Sequence, residues 1–158
     1  MGHEAPSPCL PYVGSNVMRI LLAAGLLIAS LAVLAGCASE EGGDITGKTW
    51  RLVSITTQTP SFSAIVPAEA MVNYTIEFNA DGTFSAKADC NQVAGTYTTQ
   101  DDGVLTIVPG PSTLAACPEG SLGDEYVAAL AQAGSYTIAE NQLTITLLDD
   151  GTLTFTSA

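Results

Sequence analysis

The sequence predicts a mainly β (α+β) fold: a small antiparallel cracked or half β-barrel with one helix packed across it. Three observations carry this expectation. Tyr74, Ile76 and Phe78 alternate with Thr75, Glu77 and Asn79, the period of a half-buried strand. Aspartate–glycine pairs separate the strand-like stretches at Asp81-Gly82, Asp102-Gly103 and Asp150-Gly151, which is the chemistry of tight hairpins. One segment near Leu122 to Ala133 has helical spacing instead. Short hairpin-linked strands tend to close on themselves, because closure removes exposed edges.

The elements follow in order. Trp50-Arg51-Leu52-Val53-Ser54-Ile55-Thr56 is rich in β-branched and aromatic residues and reads as a strand, with Trp50 in the core. Gln58 to Glu69 contains Pro60 and Pro67 and reads as a long connection. The strand at Tyr74 turns at Asp81-Gly82 into Thr83 to Ala88. Gly95 to Thr99 and Val104 to Val108 flank Asp101-Asp102-Gly103 as a second hairpin, which Pro109, Gly110 and Pro111 are expected to stop. Leu122, Tyr126, Ala129, Leu130 and Ala133 share a helical face. Ser121 is the expected N-cap, Asp124 and Glu125 suit the helix dipole, and Gly134 is the expected stop. Tyr136 to Ala139, Leu143 to Leu148 and Thr152 to Thr156 complete about seven or eight strands.

Ahead of this domain, Met18-Arg19 precedes an apolar run from Ile20 to Ala35. A positive charge, an apolar core and small residues at its end form a secretory signal peptide. The run is short for a membrane span, which needs about 20 residues. Leu34-Ala35-Gly36-Cys37 resembles a bacterial lipobox. That resemblance implies diacylglyceryl on Cys37, cleavage before it and attachment to a membrane by lipid. Multiple acyl chains hold firmly where a single one binds only marginally. The expected organisation is therefore 1–17 as an extension upstream of the true start at Met18, 18–36 as signal peptide, 37–47 as lipidated cysteine and flexible tether, and 48–158 as the domain.

From Cys37 onward the basic residues are Lys48, Arg51 and Lys87 against fifteen carboxylates. Such a surface repels nucleic acid and anionic headgroups, so a nucleic-acid partner is not expected. With Cys37 lipidated and Cys9 upstream of the expected start, Cys90 and Cys117 remain. In an exported chain such a pair reads as a disulfide; two neighbouring free thiols are the alternative. No histidine lies beyond His3, which removes His-based triads and His-containing metal sites from the expected domain. There is no phosphate-cradling loop and no CxxC pair. The acid-rich turns lack the alternating-ligand loop of a calcium hand. Asn73-Tyr74-Thr75 has the form of a glycosylation sequon but falls inside an expected strand. No enzymatic activity, cofactor or metal is expected.

The most informative residues run from Asp89-Cys90-Asn91 through Gly95 and Tyr97 to Thr113, Ala116 and Cys117. Their pattern is Cys-Asn, three residues, Gly-x-Tyr, and later Thr-x-x-Ala-Cys before a helix. Together with Trp50-x-Leu52 and Asp81-Gly82, it resembles the META domain (HslJ-like) family over roughly residues 47–156. The sequence departs from that pattern at Ala88-Asp89, where a small pair usually precedes Cys-Asn, and at Ala115, where methionine is common. The resemblance implies an envelope or secreted domain linked to stress, heat-shock or antibiotic-tolerance responses, without established catalysis.

In physical terms the motif reads as structural, with a ligand site built on the same loop as the alternative. Gly95 allows a bend or close approach, Asn91 suits a turn, and Tyr97 packs its ring while its hydroxyl finds a partner. The leading expectation is a membrane-anchored, non-enzymatic domain that binds an envelope protein or small ligand. The alternative is a carrier of lipid or another hydrophobic ligand inside the half-barrel, with Ala86, Ala88, Ala115 and Ala116 leaving room. The half-barrels of secretin-pilot lipoproteins are the fold-level analogy for it.

Overall fold

The structure, a computed structural model, describes residues 44–158. The expected leader, the lipobox Leu34-Ala35-Gly36-Cys37 and most of the tether lie outside the described residues. The elements are β1 (Thr49–Gln58), β2 (Ser61–Ile65), β3 (Tyr74–Phe78), β4 (Thr83–Ala88), β5 (Asn91–Thr99), β6 (Leu105–Ser112), α1 (Gly123–Leu130), β7 (Ala133–Ala139), β8 (Gln142–Leu147) and β9 (Thr152–Ser157). The strands form one antiparallel sheet in the order β6-β5-β4-β3-β1-β9-β8-β7. β2 adds to the second half of β1, on the same side as β3. The two ends of this order meet at an antiparallel bridge between Val104 and Ser135. The sheet is thus a curled half-barrel, and α1 packs against β1, β4 and β6.

Period-two alternation decides which side chains fill the interior. Tyr74, Ile76 and Phe78 of β3 face inward with Phe84, Ala86 and Ala88 of β4, and Leu143, Ile145 and Leu147 of β8 with Leu153 and Phe155 of β9. In β1 the alternation is reset by a bulge between Leu52 and Ser54. Trp50 and Leu52 point in, and after the extra residue Ile55 does so instead of Ser54 or Thr56. The Trp50 indole N–H is satisfied by the Ile45 carbonyl at 3.0 Å. Tyr126, Ala129 and Leu130 of α1 complete the interior from the helix side.

Several expectations need correction. The domain begins before 48: Ile45 is buried, Thr46 bridges Phe78, and the Gly47 N–H donates to the Phe78 carbonyl. The end of the expected tether is therefore part of the fold. Gln58 to Glu69 is not simply a connection, because the proline-free stretch between Pro60 and Pro67 forms β2. β6 runs through Pro109 and Pro111 to Ser112. It can do so because among the described residues its ladder is with β5 alone, apart from the bridge at Val104, and proline is tolerated on an edge strand.

The helix is also shorter than its apolar spacing implies. It ends at Leu130, and Ala133 and Gly134 already belong to β7, which pairs with β8 around a bulge. Ser121 is not its N-cap residue. The Ser121 hydroxyl accepts the Gly123 N–H at 3.2 Å, while Leu122 occupies the cap position and donates its N–H to the Tyr74 hydroxyl at 3.0 Å.

Candidate functional site: the clasp made by the sequence motif

The turn from β4 to β5 contains Asp89 and Cys90. Asp89 has φ 59°, a left-handed conformation that glycine adopts freely and aspartate tolerates better than most residues. Glycine would meet this requirement without strain, and Asp89 is among the few side chains that can stand in its place. The Asp89 N–H donates to the Asn73 carbonyl at 2.7 Å. Cys90 follows, exposed, and forms a disulfide with Cys117, 27 residues away.

Asn91 uses both ends of its amide on the segment leaving β6. Its Oδ1 accepts the Ala115 N–H at 2.8 Å and the Thr113 hydroxyl at 3.0 Å, and its Nδ2 donates to the Ala115 carbonyl at 3.1 Å. The Ala115 N–H can only donate, which fixes which amide atom faces it. Thr113 closes the network: its hydroxyl accepts the Gln92 N–H at 2.9 Å and its own N–H donates to the Gln92 carbonyl at 3.0 Å. Residues 113–117 thus form a strap pinned to the start of β5. Between the two pinned residues, Leu114 is 94% exposed. Ala115 and Ala116 are exposed too, so they are not interior residues. The hydrogen bonds to Asn91 hold the strap outside the barrel. Nothing in the structure explains the motif position of Ala116.

A second part of the motif fixes the β3–β4 hairpin. Gly82 has φ 82°, which the turn requires. Asp81 Oδ1 accepts the Thr83 hydroxyl at 2.6 Å and the Thr83 N–H at 3.0 Å, and these bonds hold its carboxyl below the ordinary range. Tyr97 donates its N–H to the Gly82 carbonyl and its hydroxyl to the Asn79 carbonyl, both at 2.8 Å. Its ring meets Phe78 edge-on with centroids 4.8 Å apart. Burial, followed by the nearby Asp44 and Asp81 charges, raises the Tyr97 phenol above its usual value. Gly95 lies opposite Phe84 across the β4–β5 ladder. A Cβ there would stand 2.9 Å from Phe84 Cζ and collide with the Val108 carbonyl, so the position admits only glycine without local movement.

Each family-motif residue except Ala116 therefore has a structural assignment. Trp50 and Leu52 are core, Asp81, Gly82, Gly95 and Tyr97 set the hairpin, and Cys90, Asn91, Thr113 and Cys117 form the clasp. Among the described residues no group of three or more His, Cys, Asp or Glu side chains could hold a metal ion. A groove lined by Val53, Glu140, Asn141, Gln142 and Thr156 contains none of the motif residues.

Two roles were not visible in the sequence. Asp149 Oδ2 accepts the Gln58 and Thr59 N–H groups at 2.8 and 3.0 Å, joining the β8–β9 turn to the end of β1. Those bonds hold its carboxyl below the ordinary range. Asp-Asp-Gly announces the turn but not its distant partner. Tyr126 is fully buried, its hydroxyl has no hydrogen-bond partner among the described residues, and burial raises its phenol well above the usual value.

A half-barrel of this topology with this clasp defines a small β scaffold whose motif is spent on its own architecture. The META domain family model matches residues 43–158, and the chain belongs to the META domain family. Among curated proteins nothing matches. Among solved structures the chain is similar to a protein from Burkholderia xenovorans determined by NMR, with 20% identity, coverage of 72% of this chain and 83% of that one, and a TM-score of 0.58. It is also similar to a DUF4847 family protein from Bacteroides vulgatus, with 18% identity, coverage of 71% and 93%, and a TM-score of 0.50. At these identities the likeness concerns the fold alone.

Proposed function

We propose that the chain is an exported lipoprotein, anchored through Cys37, whose META domain serves the cell envelope as a non-enzymatic binding module. One observation carries the non-catalytic part: the polar groups of the motif are engaged with the chain's own atoms. Asn91 is bonded at both ends, Tyr97 and Trp50 each donate to a backbone carbonyl, and the two cysteines are joined. A catalytic constellation needs groups free to meet a substrate. The clasp holds the strap firmly, with Leu114 turned to solvent, and the strap is the surface assigned to binding. Use during envelope stress rests on the family resemblance.

The carrier reading has less support. Trp50, Phe78, Phe84, Tyr126 and Phe155 are fully buried in the interior that a lipid tail would occupy.

Two experiments test the proposal. Mass spectrometry of the membrane fraction should find a mature chain beginning at an acylated Cys37; an unmodified Cys37 contradicts the anchor. A photo-crosslinker at position 114 in native membranes should capture one defined envelope component, and Asn91→Ala should reduce the yield several-fold. Capture that does not depend on Asn91 contradicts the strap as the binding surface.

A further inference from the structure

Among the described residues the sheet has three edges, and they are managed differently. β6 carries Pro109 and Pro111, and β7 meets β6 at the Val104–Ser135 bridge. β2 has neither safeguard. Among the described residues it pairs with β1 alone, and it contains no proline and lies in a stretch without a charged residue between Arg51 and Glu69. Natural sheets normally blunt such an edge with charge, proline, a bulge or a cover. In a chain with sixteen acidic residues, an uncharged edge is the exception.

The register shows which backbone groups of β2 are free. The Val66 N–H donates to the Val53 carbonyl, and the ladder sets Ser54 against Ile65, Thr56 against Ser63 and Gln58 against Ser61. Backbone groups alternate in direction along a strand, so the N–H and C=O of Ser61, Ser63 and Ile65 point away from β1. The side chains of the same three residues are exposed, Ile65 at 78%.

We propose that β2 pairs antiparallel with β2 of a second copy, with Ser63 on the two-fold axis. Ser61 of one copy then faces Ile65 of the other, and Ser63 faces Ser63. In each of these pairs both residues offer a free N–H and C=O, so each pair exchanges two hydrogen bonds. This is the isologous contact that two-fold symmetry requires.

Charge allows two copies to meet at this edge and opposes their meeting elsewhere. Two chains of net charge −12 repel over most of their surfaces and can approach closely where charge is absent. A basic partner strand would find no carboxylate on β2 to recognise it. Glu69 lies beyond one end of the edge, and Asp149 lies at the other, bonded to Gln58 and Thr59. Salt that screens these charges should tighten the dimer.

The test is sedimentation of the full chain in a non-ionic detergent, over a range of protein and salt concentrations. A monomer–dimer equilibrium is expected, with the dimer fraction rising with both. Ser63→Pro removes an N–H that β1 does not use, so it should abolish the dimer with an unchanged circular dichroism spectrum. Amide exchange at Ser61, Ser63 and Ile65 should slow as wild-type concentration rises. If Ser63→Pro does not fold, Ser63→Cys treated with a short bis-maleimide should give a covalent dimer joined at residue 63. A chain that stays monomeric throughout, a dimer that survives Ser63→Pro, one that salt weakens, or a dimer without the 63–63 cross-link would overturn the proposal.

Discussion

The barrel interior and the strap clasp are held by opposite means. The interior is apolar, filled by large side chains from β1, β3, β4, β8, β9 and α1, and the Tyr126 hydroxyl has no partner among the described residues. The clasp is exposed and polar, and it depends on one disulfide and a handful of side chain–backbone bonds. Burial gives the interior a large, distributed stabilisation. The clasp contributes little burial, and its effect is to fix the position of a short segment. The family motif contributes to both regions, so its residues should differ sharply in what they do when changed.

Trp50→Ala should have the largest effect. It empties a fully buried site and removes the bond to Ile45, at a cost of about 3–5 kcal/mol, read by equilibrium denaturation. Gly95→Val should also be severe, because any Cβ at that position meets Phe84 and Val108. Next comes Cys90→Ser with Cys117→Ser. Releasing this loop should cost about 3 kcal/mol on the chain-entropy account, with the core signal otherwise native. A loss as large as that of Trp50→Ala would mean that the clasp belongs to the global core.

Tyr126→Phe inverts the usual direction. Removing a buried hydroxyl with no partner should be neutral or stabilise by up to about 1–3 kcal/mol. A clear loss of stability would show that the hydroxyl is bonded in solution. Asn91→Ala should cost about 1–2 kcal/mol and should act mainly on the strap.

The smallest effect is on pH dependence. Asp81 and Asp149 have carboxyls held below their ordinary range by hydrogen bonds from Thr83 and from the Thr59 and Gln58 N–H groups. Unfolded aspartate titrates near about 3.9. Their contribution is therefore complete above that pH and is lost as pH falls through the lower folded values. Melting temperature should fall more gently with acid in Asp149→Asn than in the wild type, and only slightly so, because both carboxylates are exposed to solvent.

Much of the barrel was legible because alternation is local. Tyr74, Ile76 and Phe78 sit where period two places them, and the Asp-Gly turns fall between the strands. The failures come from long-range effects. The bulge after Leu52 shifts the inward face of β1 to Ile55, and β1 supplies the partner that makes β2 a strand. Pro109 and Pro111 failed to end β6 because β6 lies at an edge, a fact of topology. Ala133 fitted the helical spacing but was claimed by pairing with β8.

Within the candidate site, the residues were legible from the family resemblance, and the cysteine count pointed to the disulfide. The geometry was not. Nothing local shows that Asn91 reaches Ala115, that Leu114 points outward, or that Asp149 joins its turn to the end of β1.

The central claim is that the motif builds a clasp that positions the strap. Hydrogen exchange across residues 113–117, in the wild type and in Asn91→Ala, tests it most directly. The account predicts much faster exchange in the strap of the variant, above all at the Thr113 and Ala115 amides, with exchange in β3, β8 and β9 nearly unchanged. Equal strap exchange in both proteins, or uniformly faster exchange across the whole barrel, would contradict it.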